Sequence, residues 1–310
     1  MEISLLLMQQ IAQLFLILIM GYAVVKAGLL KASDSRVLSV VMVYLVTPCV
    51  IINAFQIDDT PEIRKGLLYS MAIAAAIHVV LLVLSALLSR PLKLDAVEQV
   101  NVIYSNAAAL VIPLVKALMG DAYVIYSCAF IIVQLVLLWT HASSLLQSSS
   151  ALDWKKVLTN INMIAIAAGA LLYWFRVVLP APLQNTMSTV GNMMGPMGML
   201  LAGMAIAEKP LREVFCTRRN YLPTVLRLVV CPLVVLVLLW VCHASSWVAD
   251  GKNILMTVYL AAITPACATV TSMAQLYDRD AAHSSALYVL TTLLSIVSMP
   301  VMIGLFDLLL

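Results

Sequence analysis

Charged side chains are scarce in this sequence. Asp, Glu, Lys and Arg make up only 11% of the 310 residues, whereas 63% are hydrophobic and the mean hydropathy is +1.04. Soluble globular domains are typically about 25% charged and about 45–50% apolar. The shortage of charge excludes an ordinary soluble domain, and it leaves no basic tract of the kind that recognises nucleic acid, so we expect no nucleic-acid partner.

The sequence also lacks the residue spacings of several common sites. Its six cysteines form no CxxC or other metal-ligand spacing, and five of them fall in apolar segments, where cysteine behaves as a small buried hydrophobic side chain. Those segments contain no paired aspartates, no Ser/His pair and no metal-ligand cluster at a usable spacing. We therefore expect no disulfide, no metal, no cofactor and no enzymatic activity.

Long apolar runs, by contrast, are abundant. About 20 apolar residues cross the hydrocarbon core of a bilayer, so runs of about 18 or more predict transmembrane helices. Ten runs are present, joined by short loops, which predicts an all-α polytopic membrane protein. The first is not expected to be a cleaved signal peptide, because it has neither a basic leader nor a small-residue cleavage site. The predicted spans are 5–26, 35–56, 66–89, 95–119, 122–146, 157–179, 184–207, 219–242, 253–276 and 281–309.

Lysine and arginine are distributed unevenly between the loops. Numbered along the chain, the odd loops contain twelve of these residues and the even loops four, with Lys116 and Arg227 left out because they lie within spans. Positive residues favour the cytoplasmic side of a membrane. We therefore expect a multi-pass protein of the cell (inner) membrane with both termini on the extracytoplasmic side.

The ten predicted spans show a weak internal repeat. Each half contains a span with a proline, Pro113 or Pro265, directly before the stretch that opens its last span. An alignment of Asp121 with Asp278 also pairs identical residues at three further positions, which are Ala117 with Ala274, Ser127 with Ser284 and Ala129 with Ala286. This layout predicts two halves of five spans each.

Five is an odd number, so the second half must enter the membrane from the opposite face, and the repeats are expected to be inverted. We predict a first repeat at 1–146, a cytoplasmic linker at 147–156 and a second repeat at 157–310. Inverted repeats are common among secondary transporters, whose substrate sites lie near the membrane midplane on interrupted helices.

Spans four and nine carry the features of interrupted helices. Span four begins with a capping box, Asp95 and Glu98, and then contains Asn106 and Pro113. A proline removes a backbone donor, and the freed polar groups survive in a membrane only inside protein or beside a wet cavity. Span nine combines Pro265 with the hydroxyl groups of Thr264, Thr269 and Thr271.

If both helices break and cross at the midplane, two half-helix N-termini point into one cavity. Each N-terminus carries a partial positive charge and unpaired N–H groups. We therefore predict a site for a polar, anionic ligand, with Asn106 as a donor and the threonine hydroxyls as donors or acceptors. The simpler alternative is that each proline only kinks its helix.

Other polar residues in the spans leave alternatives open. Asn53 in span two and Asn192 in span seven either complete the site or form hydrogen bonds between helices. Lys116 either neutralises the ligand or extends its ammonium group to the membrane surface. Arg227 either extends to the surface in the same way or pairs with an acid such as Glu98.

Three stretches give the sequence its resemblance to a known family. The chain resembles the auxin efflux carriers, and its ten-span layout is similar to theirs over essentially the whole length. The short 147–156 loop is similar to compact bacterial members. The matching stretches are "TPCVIINAF" (47–55), "SNAAALVIPLVKALMGD" (105–121) and "TPACATVTSMAQLYDRD" (264–280).

The resemblance implies an inverted five-plus-five fold like that of sodium/proton antiporters and bile acid symporters. Spans 1, 2, 6 and 7 would form a scaffold and a homodimer interface, and spans 3–5 and 8–10 a moving transport domain with crossing spans 4 and 9. It implies a secondary transporter of a small organic anion, auxin-like or malonate- or malate-like, that works by alternating access. Coupling to Na⁺ or H⁺ stays open, and the alternative is a sodium- or proton-coupled cation antiporter or a bile acid-type symporter.

Overall fold

The chain folds into helices throughout the part that the structure describes. The computed structural model describes residues 2–56, 60–147, 159, 161–207 and 211–310, and these residues form no β-strand. The α-helices are α1 (Glu2–Lys26), α2 (Ser35–Val41), α3 (Thr47–Ala54), α4 (Pro61–Leu92), α5 (Ala96–Ile103), α6 (Ala107–Met119), α7 (Val124–Leu137), α8 (Ser143–Gln147), α9 (Ile161–Trp174), α10 (Ala181–Gly191), α11 (Met194–Ile206), α12 (Leu211–Cys216), α13 (Tyr221–Val225), α14 (Cys231–Val241), α15 (Gly251–Ile263), α16 (Ala268–Leu276) and α17 (Ala281–Leu309).

Among the described residues, five continuous helical stretches are long and apolar enough to cross a membrane. They coincide with predicted spans two, three, five, eight and ten, and they indicate a multi-pass membrane protein. Predicted spans four, seven and nine are each divided into two shorter helices, and the linker predicted at 147–156 lies outside the described residues except for Gln147. The five stretches are Ala32–Asn53, Pro61–Leu92, Val124–Gln147, Arg218–Val241 and Ala281–Leu309.

Local sequence signals explain where several helices begin. Thr60 caps α4 by accepting a hydrogen bond from the Ile63 N–H at 3.3 Å. The capping box predicted for span four is confirmed, because the Asp95 carboxylate accepts from the Glu98 N–H at 2.7 Å and the Glu98 carboxylate accepts from the Asp95 N–H at 2.8 Å. The Thr60 cap and the Asp95–Glu98 capping box both satisfy N–H groups that have no partner within the helix.

Three spans contain a π-helical turn. The turns Met42–Val46 and Leu226–Val230 each lie just before a proline, Pro48 or Pro232. A proline has no N–H to donate to the preceding turn, and a π turn is one way for a helix to absorb the resulting irregularity. The third turn, Leu138–Ala142, joins α7 to α8. Such turns occur frequently at functional sites.

Helices α1 and α11 approach each other closely through glycine. A Cβ atom built on Gly203 would lie 2.0 Å from the Leu18 carbonyl oxygen, and one built on Gly21 would lie 2.3 Å from the Leu200 carbonyl oxygen. Small residues allow such contacts between membrane helices, where van der Waals packing is a main source of association. The two helices belong to predicted spans one and seven.

We expect Gly203→Ala to lower the melting temperature of the purified protein, because the added methyl group must push α1 and α11 apart. Gly304→Ala in α17 is the matched control, since a Cβ atom there meets no atom within 4 Å. Alanine is favoured over glycine in a helix interior by about 1 kcal/mol, so the control should melt at or above the wild-type temperature. Equal melting temperatures for the two variants would contradict the close packing.

Candidate functional site

Span four is interrupted seven residues before its proline. Helix α5 ends at Ile103, Tyr104 is extended (φ −95°, ψ 128°), and α6 begins at Ala107 and continues through Pro113. The prediction that Pro113 interrupts the span is therefore wrong. A membrane helix tolerates a proline when neighbouring groups satisfy the freed carbonyl, whereas the actual break finds partners in a second broken segment.

Span nine is interrupted at its proline, as predicted. Helix α15 ends at Ile263, and Thr264 (ψ 157°) and Cys267 (ψ 125°) are extended on either side of Pro265 before α16 begins. The residue before a proline is disfavoured in helical conformation, which places the end of α15 at this position. Here the local signal and the observed break coincide.

The two breaks lie against each other and are joined through their backbones. Ser105 and Ala266 form an antiparallel bridge. The Asn106 N–H donates to the Pro265 carbonyl at 2.8 Å, and the Cys267 N–H donates to the Tyr104 carbonyl at 3.1 Å. Each break thus satisfies polar groups of the other. The first turns of α6 and α16 both begin at this bridge, and α5 and α15 both end at it.

One polar side chain holds the middle residue of each break. The Gln134 amide of α7 accepts from the Ser105 N–H at 2.9 Å and donates to the Ser105 carbonyl at 2.8 Å. The Thr291 hydroxyl of α17 accepts from the Ala266 N–H at 3.1 Å. Neither Gln134 nor Thr291 is among the residues that the sequence analysis assigned to the site.

Gln134 and Thr291 occupy equivalent positions in the predicted repeat. Gln134 is thirteen residues after Asp121 (134 − 121 = 13), and Thr291 is thirteen residues after Asp278 (291 − 278 = 13). The sequence alignment therefore pairs them, although their residue types differ. This pairing is the signal that could have identified both.

Asn106 lies at the start of α6, between the bridge and predicted span seven. Its side chain is 3% exposed, and its amide nitrogen lies 3.4 Å from the Tyr288 hydroxyl of α17. Tyr288 in turn donates to the Met199 sulfur of α11 at 2.6 Å. The predicted donor is thus placed where the broken helix meets α11 and α17.

The three predicted threonines are all buried, and the described contacts place them differently. The Thr264 hydroxyl donates back to the Ala261 carbonyl at 3.0 Å, while Thr269 lies in the first turn of α16. The Thr271 hydroxyl contacts the Ser284 hydroxyl of α17 at 3.1 Å, away from the bridge. The structure therefore groups Asn106 with Thr264, Pro265 and Thr269, and it places Thr271 against α17.

The remaining predicted site residues are not grouped with these. Asn53 is half-buried in α3 and Asn192 is exposed just after α10, and within the described residues neither side chain bonds to the bridge. Pro113 and Lys116 lie within α6, but their side chains are outside the described part of the structure. The alternatives for Lys116 therefore stay predictions.

Arg227 has neither of the partners that the sequence left open for it. It lies in the π turn Leu226–Val230, is 1% exposed, and therefore reaches neither the protein surface nor Glu98. The Glu98 carboxylate instead accepts from Arg219 at 2.7 Å and lies 3.2 Å from the His283 ring. A single arginine deep in an apolar span was the available signal, because an intramembrane charge needs a dedicated partner.

The partners of Arg227 are backbone carbonyls at the two breaks. Its Nε and Nη2 donate to the Thr264 carbonyl at 3.0 and 2.7 Å, and Nη2 also donates to Ala262 at 2.5 Å. Its Nη1 donates to the Val102 and Ile103 carbonyls, both at 3.2 Å. The guanidinium thus contacts the last residues of α5 and the end of α15 together.

Interrupted helices that meet inside a membrane protein are typical of secondary transporters. A family model described as membrane transport protein matches residues 6–155 and 149–303, nearly the whole chain. The chain belongs to this family, the auxin efflux carrier family of membrane transport proteins. A comparison with curated proteins finds none that matches the chain.

Proposed function

We propose that this protein is a secondary transporter of a small organic anion, a mono- or dicarboxylate, with its binding site at the bridge between the two broken helices. The observation that carries the proposal is the placement of Asn106 beside the Ser105–Ala266 bridge, where α6 and α16 both begin. Substrates of the auxin type and of the malonate or malate type share the carboxylate that such a site would bind.

The electrostatics of the bridge favour an anion. The first N–H groups of a helix have no partner within it, and the helix dipole adds a partial positive charge at that end. Cys267, which precedes α16, makes no side-chain cap to that helix. In this proposal the N-termini of α6 and α16 and the Asn106 amide donate together to the carboxylate in a buried environment, where hydrogen bonds to charged groups are strong.

A cation antiporter on the same fold is less well supported. Such a transporter would need carboxylates at the crossing point, and within the described residues the bridge is surrounded by amides, hydroxyls and the Arg227 guanidinium. The buried acid of α5, Glu98, is already paired with Arg219 and His283. These contacts support the anion as substrate.

We further infer two inverted five-helix repeats whose broken helices cross at this bridge. The bonds from Gln134 and Thr291 to the middle residues of the two breaks support the repeat, although these middle residues lie 161 positions apart (266 − 105 = 161) and the alignment has an offset of 157 (278 − 121 = 157). In this proposal spans 1, 2, 6 and 7 form the scaffold and homodimer interface, and spans 3–5 and 8–10 carry the site across the membrane. In the same proposal, residues 1–146 and 157–310 are the repeats, and both termini lie on the extracytoplasmic side of the cell membrane.

A thermal-shift screen of the purified protein against small mono- and dicarboxylates tests the proposal. A ligand present at 100 times its Kd should stabilise the folded state by about 2.7 kcal/mol, which is visible as a higher melting temperature. Each carboxylate is compared with its uncharged amide at equal concentration, with and without sodium. Stabilisation by sodium or by pH alone, with none by any carboxylate, would contradict the anion site and favour the antiporter.

A further inference from the structure

Arg227 is the one cation that the described residues place at the bridge, and its hydrogen bonds are fully used. A guanidinium has five N–H donors and no acceptor. One bond is made by Nε, two by Nη1 and two by Nη2, and every acceptor is a backbone carbonyl. No donor is left over, so Arg227 in this arrangement does not bind the substrate directly.

Apart from the Cys231 thiol, which lies 3.9 Å from the Val102 carbonyl, the described contacts give these carbonyls no side-chain partner other than Arg227. The last C=O groups of a helix have no partner within it and form the negative end of the helix dipole. Val102 and Ile103 end α5, and Ala262 and Thr264 lie at the end of α15. All four residues are buried, so a cation placed between them stabilises both helix ends at once.

The same carbonyls form the kind of site in which an alkali cation would bind. Sodium ions in transporters of this general type are coordinated by unwound backbone carbonyls and half-helix C-terminal ends. Here the guanidinium of Arg227 donates hydrogen bonds to those oxygens, and Arg227 itself lies in a π turn of a different span. A sodium ion at this place would have to displace a covalently attached cation.

We propose that Arg227 is a positioning residue, an internal cation that ties the carboxyl ends of α5 and α15 together and takes the carbonyl oxygens that a sodium ion would need. By holding these ends, it fixes the bridge and thus the two N-termini that face the substrate. The crossing point accordingly binds no sodium ion. The link to substrate binding rests on the proposed function, whereas the role of Arg227 in the bridge does not.

Chemical rescue tests this assignment. We expect Arg227→Ala to lower the melting temperature by several degrees, and we expect millimolar guanidinium chloride to restore part of the loss by refilling the carbonyl site. Choline chloride at equal ionic strength should not restore it. Arg218→Ala is the matched control, because Arg218 is exposed near the start of the same span. Guanidinium should leave the wild-type protein and this control unchanged or slightly less stable.

A second variant covers the case in which Arg227→Ala does not fold. Arg227→Lys keeps the charge but has three donors, so it should melt between the wild type and the alanine variant. Wild-type stability of Arg227→Ala, no rescue of a folded Arg227→Ala by guanidinium, or stabilisation of the wild type by sodium over choline would overturn the proposal.

The two proposals fail separately. Rescue by guanidinium is measured without any carboxylate, so it reports on the bridge alone. A positive rescue with no response to any carboxylate would leave the role of Arg227 intact and contradict the anion site. A response to a carboxylate without any rescue by guanidinium would support the anion site and contradict the role of Arg227 in the bridge.

Discussion

Asn106→Ala is expected to abolish or severely reduce transport while the protein still folds and inserts. The Asn106 amide is buried at the bridge and lies at the start of α6, so its loss removes a donor to the substrate without opening a surface to lipid. A hydrogen bond to a charged group contributes about 1.5–3 kcal/mol, which corresponds to roughly a 10- to 100-fold loss of affinity. Uptake into proteoliposomes and carboxylate-induced thermal shift both measure the effect.

Asn185→Ala provides the matched control for this variant. Asn185 is an exposed asparagine of α10, and the same chemical change there should leave uptake and thermal shift at wild-type values. The melting temperature of the unliganded Asn106→Ala protein separates lost binding from lost folding. Uptake at the wild-type rate by a folded Asn106→Ala protein would contradict the assignment of Asn106 to the substrate site.

A covalent link between α2 and α16 is expected to stop transport reversibly. The Gln275 amide of α16 accepts from the Ser39 hydroxyl at 2.5 Å and donates to the Ser35 hydroxyl at 2.7 Å, both in α2. In the proposed architecture, predicted span two belongs to the scaffold and predicted span nine to the transport domain. The proposed alternating access moves these two domains past each other, and in that mechanism these hydrogen bonds break in every cycle.

The test uses Ser39→Cys with Gln275→Cys in a chain whose six native cysteines are replaced. A short bis-methanethiosulfonate reagent should join the two thiols and reduce uptake to background, and a reducing agent should restore it. Each single-cysteine variant treated with the same reagent is the control. Normal uptake by protein shown by mass spectrometry to be cross-linked would rule out relative motion of these two helices during transport.

Local physical chemistry explains why much of the fold was predictable. Apolar runs of about 18 or more residues with few charges are typical of membrane spans, and five of the predicted spans are continuous apolar helices of spanning length. The Asp95–Glu98 capping box and the break at Pro265 follow from interactions within a few residues of the chain. The family resemblance rested on the three local stretches 47–55, 105–121 and 264–280, and the family match confirms it.

The sequence by itself therefore determined an all-helical membrane protein of the auxin efflux carrier family and the place of one helix break. The tertiary structure alone decided that span four breaks before Asn106, since that break is satisfied by a segment some 160 residues later (266 − 105 = 161). It also decided that Arg227 contacts carbonyls of both breaks, and that Gln134 and Thr291 hold their middle residues. The physical reason is that buried polar groups need partners, and those partners come from segments that no local pattern connects.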